Sequence, residues 1–174
     1  MTSEPMTSEQ LINSEVGIEN DKANLPPEKF QLVLRGELIK ENETEAEFLQ
    51  LENGDKFKVK EIIASSYPRE MTDWQVVPTT DNDARIVNLI LEKSLSESDI
   101  RTKPSTMVIE AGRIVEIAKK GGRIKVKVKR EGRKDLKIGV LNAPKKMKFG
   151  QLWSMMLVMK EAYLQIQQAK YLQD

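Results

Sequence analysis

The chain contains no cysteine and no histidine. Without cysteine there is no disulfide framework, no thiolate nucleophile and no thiolate metal ligand. Without histidine, the commonest zinc ligand and the usual acid–base group near neutral pH are missing. Aromatic residues make up only 5% of the 174, so rings available to stack on a ligand are few. The longest purely apolar run, residues 155–159, is far below the roughly 20 residues of a membrane-spanning helix. The start Met1-Thr2-Ser3-Glu4 is acidic and lacks the basic and apolar regions of a signal peptide. Neither a phosphate-cradling nor a dinucleotide glycine pattern occurs. Asp73, Asp81 and Asp83 lack the remaining spaced ligands of a calcium loop. These absences lead to the expectation of a soluble cytoplasmic protein that is not an enzyme, holds no cofactor or metal and has no membrane partner.

What is present is charge, unevenly placed. Net charge is only +1, yet residues 1–29 carry six acids and two bases, residues 30–105 fifteen and ten, and residues 106–174 six and sixteen. Such a split between parts of one chain points to a polyanion or a membrane surface as partner. Fourteen of the cations fall between Arg113 and Lys148, against three acids. Within that stretch Arg123-Ile124-Lys125-Val126-Lys127-Val128-Lys129 alternates strictly, the pattern of a strand with one apolar and one cationic face. A row of cations on a pleated surface suits a phosphate backbone.

Three regions follow. Residues 1–29 read as a disordered acidic tail, Ser/Asn-rich and closed by Pro26-Pro27. Residues 30–105 read as a β-rich module, with strands expected at Phe30–Ile39, Ala46–Leu51, Lys56–Ile63, Trp74–Val77 and Arg85–Leu91. Asn53-Gly54 predicts a two-residue type I′ hairpin and Asp81-Asn82-Asp83 a second turn. Residues 106–174 predict strands at Met107–Ala118, Arg123–Arg130 and Leu136–Leu141. The end of the chain has two readings. Leu152, Met155, Met156, Met159, Tyr163 and Ile166 fall at helical spacing, but open edges after three strands favour two more strands, Gln151–Lys160 and Tyr163–Leu172.

The order of a β-strand, a glycine loop at Gly121-Gly122, a basic strand, a glycine hairpin, a third strand and then Met147-Lys148-Phe149-Gly150-Gln151-Leu152-Trp153 resembles an oligonucleotide-binding (OB) barrel over about residues 106–172. The resemblance implies a mainly β fold ending in a small five-stranded barrel. It also implies a ligand face on strands two and three and the adjoining loops, here Arg123, Lys125, Lys127, Lys129 and Lys137 with Lys119 and Lys120. An SH3-like barrel is the alternative, because Asn142 to Lys148 contains Pro144 and leaves no room for a helix. Leu34-Arg35-Gly36-Glu37-Leu38-Ile39 echoes Glu110-Ala111-Gly112-Arg113-Ile114-Val115, which raises a second barrel in residues 30–105.

The expected activity is non-catalytic binding of DNA or RNA with little sequence specificity. The candidate cations are Lys119, Lys120, Arg123, Lys125, Lys127, Lys129, Arg130, Arg133, Lys134, Lys137, Lys145, Lys146 and Lys148, with Phe149 and Tyr163 as stacking rings. Trp153, set among aliphatics, reads as core. Two plainer readings stand beside this one: a solvated lysine face that discourages aggregation, and an assembly subunit whose basic face meets an acidic protein. Gly121-Gly122 reads either as a close approach to phosphate or as an ordinary tight turn.

Overall fold

The alternating segments form ten strands in the computed structural model, which describes residues 28–41, 45–118 and 120–174. They are β1 (Phe30–Lys40), β2 (Glu47–Leu51), β3 (Lys56–Ile62), β4 (Thr72–Thr80), β5 (Ile86–Ser94), β6 (Thr106–Ile117), β7 (Ile124–Val128), β8 (Leu136–Val140), β9 (Leu152–Lys160) and β10 (Tyr163–Gln173). No α-helix occurs among the described residues. Of the acidic tail expected over residues 1–29, residues 1–27 lie outside them, as does Lys119, whereas Glu28 belongs to the fold, where Arg130 holds its carboxylate.

The first five strands close on themselves. β1 pairs with β2, β2 with β3, β3 with β5, β5 with β4, and β4 returns to β1; all these ladders are antiparallel except β3–β5. The second five repeat the order, β6 pairing with β7 and β9, β7 with β8, and β9 with β10. There the parallel contact between third and fifth strands is short. Leu141 donates its N–H to the Leu164 carbonyl and accepts that of Ile166, both at 2.9 Å. β1 and β6 lie antiparallel side by side, Leu32 opposite Met107, so the two rings share one sheet.

Alternation decides what each strand buries. Ile124, Val126 and Val128 of β7 are buried while Lys125 and Lys127 point outward, as the sequence pattern requires. Their side chains join Leu32, Leu34 and Trp74 from the first ring and Met107, Ile109 and Trp153 from the second in one continuous core. Burying each large apolar side chain stabilises the fold by about 1.5–3 kcal/mol. β9 explains the helix-like spacing near the end of the chain. Trp153, Met155, Leu157 and Met159 are buried, but outward Leu152, Met156 and Val158 are half-buried too, so apolar residues on both faces mask the period of two.

The echo between the two halves has a structural counterpart. Gly36 and Gly112 occupy the same position in β1 and β6, where the first strand of each ring passes from its fourth-strand partner to its second. A Cβ on Gly36 would stand 2.9 Å from the Gln50 carbonyl oxygen, and one on Gly112 2.5 Å from Val126 Cγ1. The bend leaves no room for a side chain at either glycine.

One turn differs from its expected form. Of Asn53 and Gly54 only the glycine has positive φ, 96°, so the link is not type I′. Gly54 donates to the Leu51 carbonyl at 2.9 Å and Leu51 to that of Asp55 at 2.8 Å, the pattern of a three-residue loop with a glycine bulge. Asn53 serves instead through its side chain, whose Oδ1 accepts the Asp55 N–H at 2.9 Å.

The Asp81–Asp83 turn is built similarly, but with Ala84 at φ 71° in the position that favours glycine. Asp81 Oδ1 accepts the N–H groups of Asp83 and Arg85, both at 2.9 Å. The Ala84 methyl lies against Gly139 of β8 across the junction between the rings. A Cβ on Gly139 would meet Ala84 at 2.9 Å. Gly139→Ala should therefore cost about 1–3 kcal/mol by overpacking, read as a lower denaturation midpoint in urea.

Candidate nucleic-acid interface

β7 and β8 lie in register with the second half of β6, and this sorts the cations of residues 113–148 into three groups. On the open sheet face Arg113, Lys127 and Lys137 stand directly opposite one another across the three strands. Like charges in such positions repel. The repulsion is only partly relieved: Lys127 Nζ is 3.5 Å from Asp135 Oδ2, and Arg113 donates to the Gly150 carbonyl at 2.6 Å. Lys137 is exposed with no ionic partner among the described residues, as are Lys129 and Lys134. Beside the row runs a groove of about 940 Å³ lined by Arg113, Lys127 and Lys129 together with the carboxylates Glu110, Glu131 and Asp135.

The next row of the same face is less open. Lys125 is opposite Glu116 and Gly139, with its Nζ 3.8 Å from Glu116 Oε1. Gly139 is covered by the Ala84 turn, and Arg123 Nη1 lies 3.8 Å from Asp83 Oδ1 of that turn. The first ring's acidic turn thus covers one end of the cationic face. These pairs are exposed and worth at most about 1 kcal/mol each, so a phosphate can displace them.

A second group sits on the loops at one end of the second ring. The Ala143 N–H donates to the Gly122 carbonyl at 2.9 Å, joining the loop of Lys120 to the loop of Lys145, Lys146 and Lys148. Phe149 projects from the latter loop, 72% exposed. Nearby, Gln151 Oε1 accepts from the Lys148 N–H and from Trp153 Nε1, and Lys146 Nζ lies 5.8 Å from the Trp153 ring centroid. Trp153 itself is buried, edge-on to half-exposed Tyr171. A hydrogen bond to Asp174 pushes the Tyr171 phenol above its ordinary pKa. The contact at Gly122, together with positive φ at both glycines, fits the tight-turn reading of Gly121-Gly122.

Arg130 and Arg133 form the third group and face inward. The Arg130 side chain is only 9% exposed, with Nε 2.5 Å from Glu28 Oε2, Nη2 bonded to Glu92 Oε2, and its guanidinium 5.3 Å from the Phe30 ring centroid. Arg133 adds a 2.9 Å bond to the same Glu92 oxygen, while Gln75 donates to Oε1 at 3.1 Å. Both arginines are held by carboxylates and clamp the rings together. Tyr163 is half-buried at the β9–β10 turn, its backbone bridged to Arg85 of the first ring, and lies apart from the groove lining.

Arg113 was not singled out from the sequence, because its place opposite Lys127 depends on pairing between distant segments. Asp73, Asp81 and Asp83 are engaged separately, by Arg35, by backbone N–H groups and by Arg123. Among the described residues no three acidic side chains gather at metal-binding distance, and no helix is long and apolar enough to cross a membrane. No protein-family model, curated protein or solved structure matches this chain.

Proposed function

We propose that the chain binds nucleic acid without catalysis, using the β6–β7–β8 face of its second ring to contact phosphates. The observation that carries this reading is the row of Arg113, Lys127 and Lys137, three cations set opposite one another at some cost to the sheet. A phosphate backbone laid across the row turns that repulsion into attraction. Lys129 and Lys134 extend the positive field at one end, and Lys120, Lys145, Lys146 and Lys148 lie on the adjoining loops. Phe149 offers one exposed ring for stacking. The closed order of five strands with a parallel third–fifth contact is compatible with an oligonucleotide-binding barrel, whose ligands use this face.

Phosphate contact has a quantitative signature in salt dependence. Changing Lys127, Lys129 and Lys137 together to Gln should flatten the slope of log K against log salt by about 2–3, at ~0.7–0.9 per phosphate. Affinity should fall alike for unrelated sequences, with little change in stability, because these charges are exposed. A folded triple variant with the parental slope would overturn the reading. Displacement of an acidic protein but not of any oligonucleotide would favour the assembly-subunit alternative.

A further inference from the structure

The β2–β3 pair of the first ring occupies the place that β7–β8 holds in the second, and β3 repeats the cationic alternation. Lys56, Lys58 and Lys60 point outward and exposed, whereas Phe57 is buried and Val59 half-buried. Lys56-Phe57-Lys58-Val59-Lys60, on the third strand of its ring, thus has the same alternation as Lys125-Val126-Lys127-Val128-Lys129 on the second strand of the other. Across β1, β2 and β3 the residues in register are Ile39, Phe48 and Lys58, where the second ring has Glu116, Lys125 and Gly139. Here a half-buried aromatic ring takes the central place, between an aliphatic residue and a lysine. Lys56 Nζ lies 5.7 Å from the Phe48 ring centroid and 3.1 Å from Glu41 Oε1. Lys58 and Lys60 have no ionic partner among the described residues.

An aromatic face bordered by mobile ammonium groups matches a nucleotide whose base stacks and whose phosphate is neutralised. A duplex keeps its bases paired and inside, so the arrangement discriminates in favour of unpaired strands. We infer that Phe48, Lys56, Lys58 and Lys60 form a second site on the first ring, one that stacks a base of single-stranded nucleic acid. This inference rests on the reading above and gives the two rings different tasks. The second holds phosphates through its cation row, and the first selects single strands through one ring.

The test compares the full chain with Phe48→Leu, which keeps apolar packing against Ile39, and with Phe48→Trp, which keeps a ring. Each is titrated with an oligothymidylate and with a duplex of equal length. Phe48→Leu should bind the single strand roughly five- to a hundred-fold more weakly, the loss of one stacked base, with the salt slope and the duplex affinity unchanged. Phe48→Trp should restore the affinity. Lys58→Gln with Lys60→Gln should lower the single-strand slope by about 1.4. Parental single-strand affinity in Phe48→Leu would overturn the inference while leaving the phosphate face intact, provided the Lys127, Lys129 and Lys137 variant still shows its flattened slope. Equal losses on single strand and duplex would also overturn it, as would no gain from Trp over Leu. A parent chain that binds neither oligonucleotide would overturn both readings together.

Discussion

Val126→Asp should unfold the protein at room temperature. The side chain is fully buried, packed below β6 where it approaches Gly112, and has no polar partner within the core. A carboxylate placed there must stay charged without water or protonate at a cost, and the lost valine packing adds to the penalty. A loss above ~5 kcal/mol is of the order of the whole stability of a domain this size. The continuous core and the β1–β6 ladder predict that both rings melt together. Circular dichroism and urea titration check both points. A variant with the parental midpoint would place the lysines inside and the valines outside. A second, surviving transition would show that the first ring folds alone.

Arg130→Met should cost about 3–5 kcal/mol, because it strands Glu28 and Glu92, with side chains 10% and 5% exposed, as buried carboxylates with one cation between them. Lysine is a poor substitute, since a point charge cannot reproduce bonds from both Nε and Nη2 to two different carboxylates. Combining Arg130→Met with Glu92→Met should cost much less than the sum of the two single changes, because the charges leave as a pair. A double-mutant cycle in urea measures this. Additive losses would mean that the two side chains act separately. DNA affinity of the folded double variant should match that of the parent, which separates this arginine from the cations that meet phosphate.

The strands were legible in the sequence wherever one face is apolar and the other polar. Ile124 to Lys129 needed only its alternation, and the glycine echo around Gly36 and Gly112 correctly hinted at a repeated bend. What could not be read is whatever distant pairing decides. Arg130 is as basic as Lys129 in any charge count, but its partners Glu28 and Glu92 lie 102 and 38 residues away. Arg113 and Phe48 gain their meaning from the residues opposite them, Lys127 and Lys58, which only the register supplies. Asn53 was misread for a local reason. Its amide oxygen caps the turn instead of its backbone entering the left-handed region. Net charge also misled, because the acidic total of residues 30–105 hid the lysines of β3.

The ladder between β1 and β6 bears on how the chain is made. A polypeptide emerging from a ribosome completes its first ring at Ser94, before Thr106 and the rest of β6 exist. Through that interval Phe30–Val33 presents the N–H and C=O groups that β6 later occupies, on a short apolar strand. Another nascent copy can pair with such an edge as readily as β6 can. Once β6 is in place these groups are paired, so the second ring shields the first ring's edge from another copy.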